Sequence, residues 1–333
     1  MANILNILTP DHTNTTSCCG MMILRHPFID AIVRQFLKKK FVHPENMLAY
    51  QLFGRRPVII NSVWGFDRSR LLPPNFMVTG PLIDLSIDGE ALKKVDPELN
   101  DWIEEGELKG QKIVYISLGS VCDWQTWEVD ALYNGLKNLP VRVIWSLKQI
   151  ELFKSYEKDP DFWVRKWIPQ PELLMHPSLK AGMTHCGFGG AMEFLGHGIP
   201  IACFPHFIDQ PPNTMQVERM GCGISLFPIK KLILRSNHTY TEVKFNSIGV
   251  TETFKKLLDE EEGYKKNAEF FRLKCIAQGG RKLAGDAVEK VFLVGFEDLI
   301  NEDTMKTHEK SSYCLSTLFI LLLIVIVIGA LVQ

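Results

Sequence analysis

The sequence predicts a doubly wound α/β domain built on a parallel sheet, followed by a helix that crosses a membrane. Three observations carry this. Short apolar runs recur between residues 112 and 227, helical patterns separate most of them, and the chain closes on an uncharged apolar run. Strands that are apolar without alternation are buried on both faces, and helices on each side of a parallel sheet supply that cover.

The elements follow in chain order. Residues 28–40 place apolar side chains at 28, 29, 32, 33, 36 and 37, the spacing of an amphipathic helix whose basic end suits a helix C-terminus. Residues 56–62 read as a buried strand, and Leu71-Leu72-Pro73-Pro74-Asn75 reads as a turn into a short strand at 76–79. These residues form a partial N-terminal domain, 1–82. The polar stretch 83–110 is expected to be a linker with one short helix around 97–105. Strands are then expected at 112–118, 141–147, 162–168, 181–185, 200–204 and 223–227, and helices at 124–138, 189–197 and 213–220. Helices at 247–258, 260–276 and 285–299 close a domain that spans 111–300.

A polar juxtamembrane segment, 301–312, leads to a transmembrane helix at 313–332. Residues 315–332 contain no charge, and 18 residues make about 27 Å of helix, enough to cross a bilayer core. The first twenty residues lack the basic start and apolar run of a secretory signal, so the reading is a single-pass, tail-anchored protein. Lys306 and Lys310 precede the span, which by the positive-inside rule keeps the globular part cytosolic.

Composition narrows the function. With 46% hydrophobic and 23% charged residues the chain is that of a globular protein, and a net charge of -1 with no like-charge block longer than Lys38-Lys39-Lys40 argues against nucleic acid as a partner. The eight cysteines are scattered without a Cys-x-x-Cys, so they suggest neither a zinc site nor a disulfide framework. Asp159-Pro160-Asp161 has the spacing of a metal-binding acidic pair but reads as a turn. The sequons at Asn14 and Asn237 matter only in a secretory lumen.

Candidate chemistry is concentrated in residues 167–210. Trp167 offers a π-face at a strand end, and Gln170 offers an amide. His185 precedes Gly187-Phe188-Gly189-Gly190, a turn that opens a helix; glycines there let backbone amides approach an anion, and the helix dipole favours its charge. Glu193 lies in that helix, Asp209 and Gln210 end the stretch, and Ser120 follows a strand and a glycine. In doubly wound sheets ligands bind beyond the carboxyl ends of the strands, where Ser120, Trp167, His185 and the segment up to Gln210 fall. Taken singly these residues also fit ordinary roles: Trp167 as a rim aromatic, Gln170 as a helix-start polar residue, Glu193 on a solvated helix face, Asp209-Gln210 in a polar loop.

Taken in order, Trp167, Pro169, Gln170, Leu173, Leu174, His176, Pro177, Thr184, His185, Cys186, Gly187, Glu193, Gly198, Pro200, Pro205, Asp209 and Gln210 resemble the signature of the UDP-glycosyltransferases. The likeness reaches back through Ser117-Leu118-Gly119-Ser120 and covers the chain from about residue 50 onward. It implies a GT-B fold whose C-terminal domain holds a UDP-sugar, with only a remnant of the N-terminal domain present. By the same resemblance Trp167 stacks on uracil, Gln170 bonds base or ribose, and Glu193 accepts the ribose hydroxyls. His185, Ser120 and the Gly187 to Gly190 turn meet the diphosphate, and Asp209 and Gln210 read the transferred sugar. The UDP-sugar is the donor substrate, no metal or other cofactor is implied, and the endoplasmic reticulum is the implied location.

Two departures stand out. Many relatives carry Trp, Asn and Ser where this chain has Phe188, Gly189 and Gly190, which replaces side-chain contacts to phosphate by backbone ones. The family's catalytic base, an N-terminal histidine oriented by an aspartate, has no counterpart in motif context; His12, His26 and His43 are the histidines that precede the linker. The readings are therefore a fragment of a membrane-anchored glycosyltransferase that transfers a hexosyl or hexuronosyl group to a hydroxyl of a small or lipophilic acceptor, a split enzyme whose partner chain supplies the acceptor domain and base, or a UDP-sugar-binding module without turnover.

Overall fold

The computed structural model describes residues 56–69, 72, 74–120, 122–227 and 245–300. The helix expected at 28–40, the three N-terminal histidines, both sequons, the juxtamembrane segment and the span at 313–332 lie outside the described residues. Among the described residues no helix is long and apolar enough to cross a membrane.

The chain divides into two compact units. In the first, β1 (Val58–Ile60) pairs in parallel with β2 (Phe76–Val78) around Val58, Ile60 and Phe76, and residues 282–300 belong to the same unit. The second unit comprises residues 62–68 and 80–281.

The second unit begins with α1 (Gly89–Val95) and α2 (Pro97–Leu108), each capped by an aspartate, Asp88 and Asp96, that accepts a first-turn N–H. Six strands follow: β3 (Lys112–Ser117), β4 (Val141–Ser146), β5 (Phe162–Arg165), β6 (Leu179–Thr184), β7 (Ile201–Cys203) and β8 (Gly223–Ser225). The intervening helices are α3 (Thr126–Leu136), α4 (Gln170–Leu174), α5 (Phe188–Gly196) and α6 (Gln210–Arg219), with a 3-10 turn at Ile150–Tyr156 between β4 and β5. After β8 come α7 (Ser247–Leu258), α8 (Tyr264–Gln278) and α9 (Gly280–Val294), the last running into the first unit.

All six strands are parallel, in the order β5-β4-β3-β6-β7-β8. Counted from β3 this is 3-2-1-4-5-6, the doubly wound order in which the chain reverses direction between the first and fourth strands. Strand period sorts the core into two layers. Ile113, Tyr115 and Ile144 face one cluster with α1, α2, α4, α5, α6 and α8, while Val114, Ile116, Val143 and Trp145 face the other with α3 and α7. Each central strand is therefore buried on both sides, which is why its sequence reads as an unbroken apolar run.

The linker expected at 83–110 is corrected. That stretch folds as α1 and α2 and buries Leu92, Leu99 and Ile103 completely, so it belongs to the second unit's core. Its hold on the sheet is Arg142, a charge inside β4 that is 2% exposed. The guanidinium donates to Gln111 and to the Trp102 carbonyl, pairs with Glu105 and Asp161, and lies over the Trp102 ring at 4.7 Å. A buried guanidinium is tolerable only with such partners, and α2 supplies two of the four, Trp102 and Glu105. Gly106 makes the approach possible, because a Cβ there would come within 2.5 Å of Arg142 Cδ. The polar composition of the stretch reflects its solvent face and this arginine's partners.

The Asp-x-Asp sequence is a turn. Asp161 N–H donates to Asp159 Oδ1, the other Asp159 oxygen accepts from the Tyr133 hydroxyl, and Asp161 Oδ1 accepts from Gln111.

Two stability measurements follow. Ile103→Ala is expected to lower the unfolding free energy by about 2–4 kcal/mol in urea denaturation, as for a fully buried aliphatic side chain; a loss below about 0.5 kcal/mol would return residues 83–110 to a surface linker. Glu128, buried at the start of α3 where its carboxylate caps Gln125 N–H, has its pKa raised from 4.5 to about 7 by burial. A carboxyl that binds its proton more tightly folded than unfolded stabilises most when protonated, so stability falls as pH rises from 4.5 to about 7. Glu128→Gln keeps the capping acceptor and removes the charge, so at about pH 8 it should gain on the order of 2 kcal/mol and at about pH 4 nothing. Equal stability of the two proteins at both pH values would refute the buried ionised carboxylate.

Candidate functional site

The carboxyl ends of the central strands finish level. Ser117 is in register with both Ser146 and Thr184, and Thr184 with Cys203. The loops that leave β3 and β6, on either side of the chain reversal, therefore emerge side by side, and most of the sequence-predicted residues lie on these or the neighbouring loops.

His185 sits between two glycines. A Cβ at Gly119 would come within 2.7 Å of its Cε1, and one at Gly187 within 2.5 Å of its Nε2. Gly119 has φ of +70°, so it is required both for the turn and for the room the imidazole takes. Burial holds the His185 pKa below the usual histidine value, with His206 adding to the shift and Asp209 opposing it. The ring is thus a neutral hydrogen-bonding group at neutral pH.

Gly187 caps α5, whose first residues are Phe188, Gly189 and Gly190. First-turn N–H groups have no carbonyl partner within their own helix. Asp209 Oδ2 accepts from Phe188 N–H at 3.1 Å and from Asn213 Nδ2 at 2.9 Å, and Asn213 also donates to the Cys186 carbonyl. The loop after β7 is thereby fastened to the start of α5. A Cβ at Gly189 would meet nothing within 4 Å, so there is open space beside this turn. The Phe188 ring packs edge-on against buried Phe66. Cys186 and Ile208, flanking the site in sequence, hold φ of 63° and 56°, a conformation that costs a residue with a side chain, most of all a β-branched one.

Deeper in the site, Tyr115 Oη donates to Gln170 Oε1 at 2.8 Å, and Gln170 Nε2 donates to Glu193 Oε2. Tyr115 is buried in β3 and stacks on Phe194. The chain of bonds fixes the Gln170 amide and sets it against Glu193, whose pKa is raised by burial and lowered in part by that bond. Trp167 is 73% exposed, next to the buried Ile168, so its ring is accessible to a ligand.

Gln210 is placed differently from a ligand-reading amide. It is 4% exposed, and its Oε1 accepts from the N–H groups of His206 and Phe207, so it shapes the 204–209 loop from within. Ser120 is exposed on the loop after β3.

Tyr115 and Asn213 hold the site together and were not singled out by chemistry in the sequence. Tyr115 gave one usable signal, since a hydroxyl on an apolar strand buried on both faces must find a partner.

Against known proteins, residues 20–269 match the family model "UDP-glucoronosyl and UDP-glucosyl transferase". The chain belongs to this UDP-glycosyltransferase family. It is 32% identical over 169 residues to UDP-glucuronosyltransferase 3A1 of Mus musculus, covering 50% of this chain and 31% of that protein. It is 32% identical over 192 residues to UDP-glucuronosyltransferase 3A2 of Homo sapiens, covering 54% and 35% respectively. The matched region thus spans about a third of these curated relatives. Among solved structures it resembles Os79 from O. sativa in complex with U2F and trichothecene, with TM-score 0.55, 19% identity, and coverage of 81% of this chain and 68% of that one. It also resembles Medicago truncatula UGT71G1 complexed with UDP-glucose, with TM-score 0.53, 20% identity, and coverage of 75% and 56%. At these identities the likeness is one of fold, the parallel α/β arrangement of GT-B type.

The Asp209 contact is open to test. Asp209→Ala should cost about 1–2 kcal/mol in thermal or urea unfolding, because it strips a capping acceptor from α5, whereas Asp209→Asn keeps an acceptor oxygen and should cost only a few tenths. Equal losses for the two variants would mean that the carboxylate's charge, not its hydrogen bonds, holds the loop.

Proposed function

We propose that this chain is a UDP-glycosyltransferase that transfers a hexosyl or hexuronosyl group from a UDP-sugar to a hydroxyl of a small or lipophilic acceptor. The observation that carries the proposal is the meeting of the Gln170–Glu193 pair and the His185–Gly187 turn at the level carboxyl edge between β3 and β6. It is supported by membership of the family and by the fold shared with structures that hold UDP or UDP-glucose.

On this reading Trp167 stacks on the uracil, Gln170 presents an amide hydrogen to base or ribose, and Glu193 accepts the ribose hydroxyls. The diphosphate lies across Ser120, His185 and the first-turn amides of α5 at Gly189 and Gly190. Asp209 stands at the sugar end, and Gln210 supports that end through the backbone of His206 and Phe207. Transfer breaks the bond between the anomeric carbon and the β-phosphate oxygen while the acceptor oxygen attacks from the opposite side; the acceptor proton passes to a base and UDP leaves with the bonding electrons. The α5 N-terminus and a neutral His185 N–H meet the charge that develops on UDP, so the donor side needs no metal. The base belongs to the acceptor side, outside the described donor unit. The apolar segment 313–332 anchors the protein in a membrane, that of the endoplasmic reticulum by analogy with the resemblance.

Calorimetric titration of UDP into the full chain tests the donor site. Saturable binding is expected, weakened about tenfold or more in Glu193→Ala, since hydrogen bonds to a charged group are worth about 1.5–3 kcal/mol. A folded wild-type protein that binds no UDP would overturn the proposal.

A further inference from the structure

The site as described lacks a cation. A UDP-sugar brings two negative charges on its diphosphate, yet burial lowers the pKa of both His185 and His206, which leaves the two histidines nearest the turn uncharged at neutral pH. Among the described residues, the segments that leave β3, β4, β6 and β7 at their carboxyl ends carry one lysine or arginine before the next helical turn, Lys148; Lys154 and Lys158 lie farther along the β4–β5 connection, within and after the 3-10 turn. Arg165 ends β5 and Lys166 follows it at the sheet's edge, two strands from β3, and Arg165 is already paired with Asp96 and Glu98.

Lys148 stands two residues beyond Ser146, which is level with Ser117, so it emerges beside the β3 loop. Its Nζ donates to the carbonyl of Ser120, the residue after the glycine that makes room for His185. The side chain is exposed, and an ammonium has three N–H groups, of which the Ser120 carbonyl takes one. We infer that Lys148 binds the diphosphate of the nucleotide, with Ser120 holding its ammonium group at the mouth of the His185 turn. The inference rests on the donor-site reading above and adds the residue that balances the ligand's charge. Sequence inspection passed it over because a lone lysine after a strand looks like any surface lysine; only the register of β3 against β4 brings it to the phosphate end.

The test is a pair of titrations, UDP and uridine, into the full-length wild type, Lys148→Met and Lys148→Arg. Lys148→Met should bind UDP about tenfold more weakly, the loss of one charge-assisted contact at a partly exposed site, and bind uridine as the wild type does. Lys148→Arg should retain UDP affinity, and added salt should weaken UDP binding more in the wild type than in Lys148→Met. Unchanged UDP affinity in Lys148→Met, or an equal loss of UDP and uridine, overturns the assignment while leaving the donor site standing. Failure of the wild type to bind UDP overturns both.

Discussion

The pairing of β3 with β6 is the constraint on which the rest depends. These two strands are distant in sequence and neighbours in the sheet, and the chain leaves them in opposite directions. The two departing loops emerge side by side, so backbone from both sides lines this edge and the His185 ring of one loop packs against Gly119 of the other. Gly119 and Gly187 then have to be glycines, because His185 occupies the volume that a Cβ on either would need. The amides at the start of α5, the imidazole and the β3 loop are thus gathered by strand order alone.

Around that edge the protein uses its buried polar groups to fix positions. Tyr115 sets the orientation of Gln170, Gln170 faces Glu193, Gln210 ties down the backbone of the 204–209 loop, and Asp209 fastens that loop to α5. Each removes a donor or acceptor that would be costly to leave unmet away from water. Arg142 does the same on a larger scale, joining β4 to α2 through Trp102 and Glu105 and to the neighbouring loops through Gln111 and Asp161. The strained backbone at Cys186 and Ile208 lies beside these anchors, which are numerous enough to hold it.

Much of the fold was legible. The six strands and the helices at α3, α5, α6 and α7 follow from apolar runs and helical spacing, with boundaries that differ by a few residues, as expected where ends fray. Residues 83–110 were not legible as core: their apolar residues, Leu92, Leu99 and Ile103, are widely spaced among charges, and α1 and α2 expose most of their surface. Of the site, Trp167, His185 and Glu193 could be marked because aromatic, imidazole and carboxylate groups near a glycine-rich turn suggest a ligand on their own. Tyr115 and Lys148 were not marked, since their residue types are common in strands and on surfaces.

By itself the sequence determined the alternation of strand and helix, the family to which the chain belongs and the order of the motif residues along it. These are read over short windows, where side-chain periodicity and local spacing carry the information. Only the tertiary structure decided which residues meet: Tyr115 with Gln170 across 55 positions, Glu193 with Gln170 across 23, Asp209 with the start of α5 across 21. Those encounters depend on strand order and register, which arise when a whole sheet is buried on both faces at once, and no local window of sequence contains that condition.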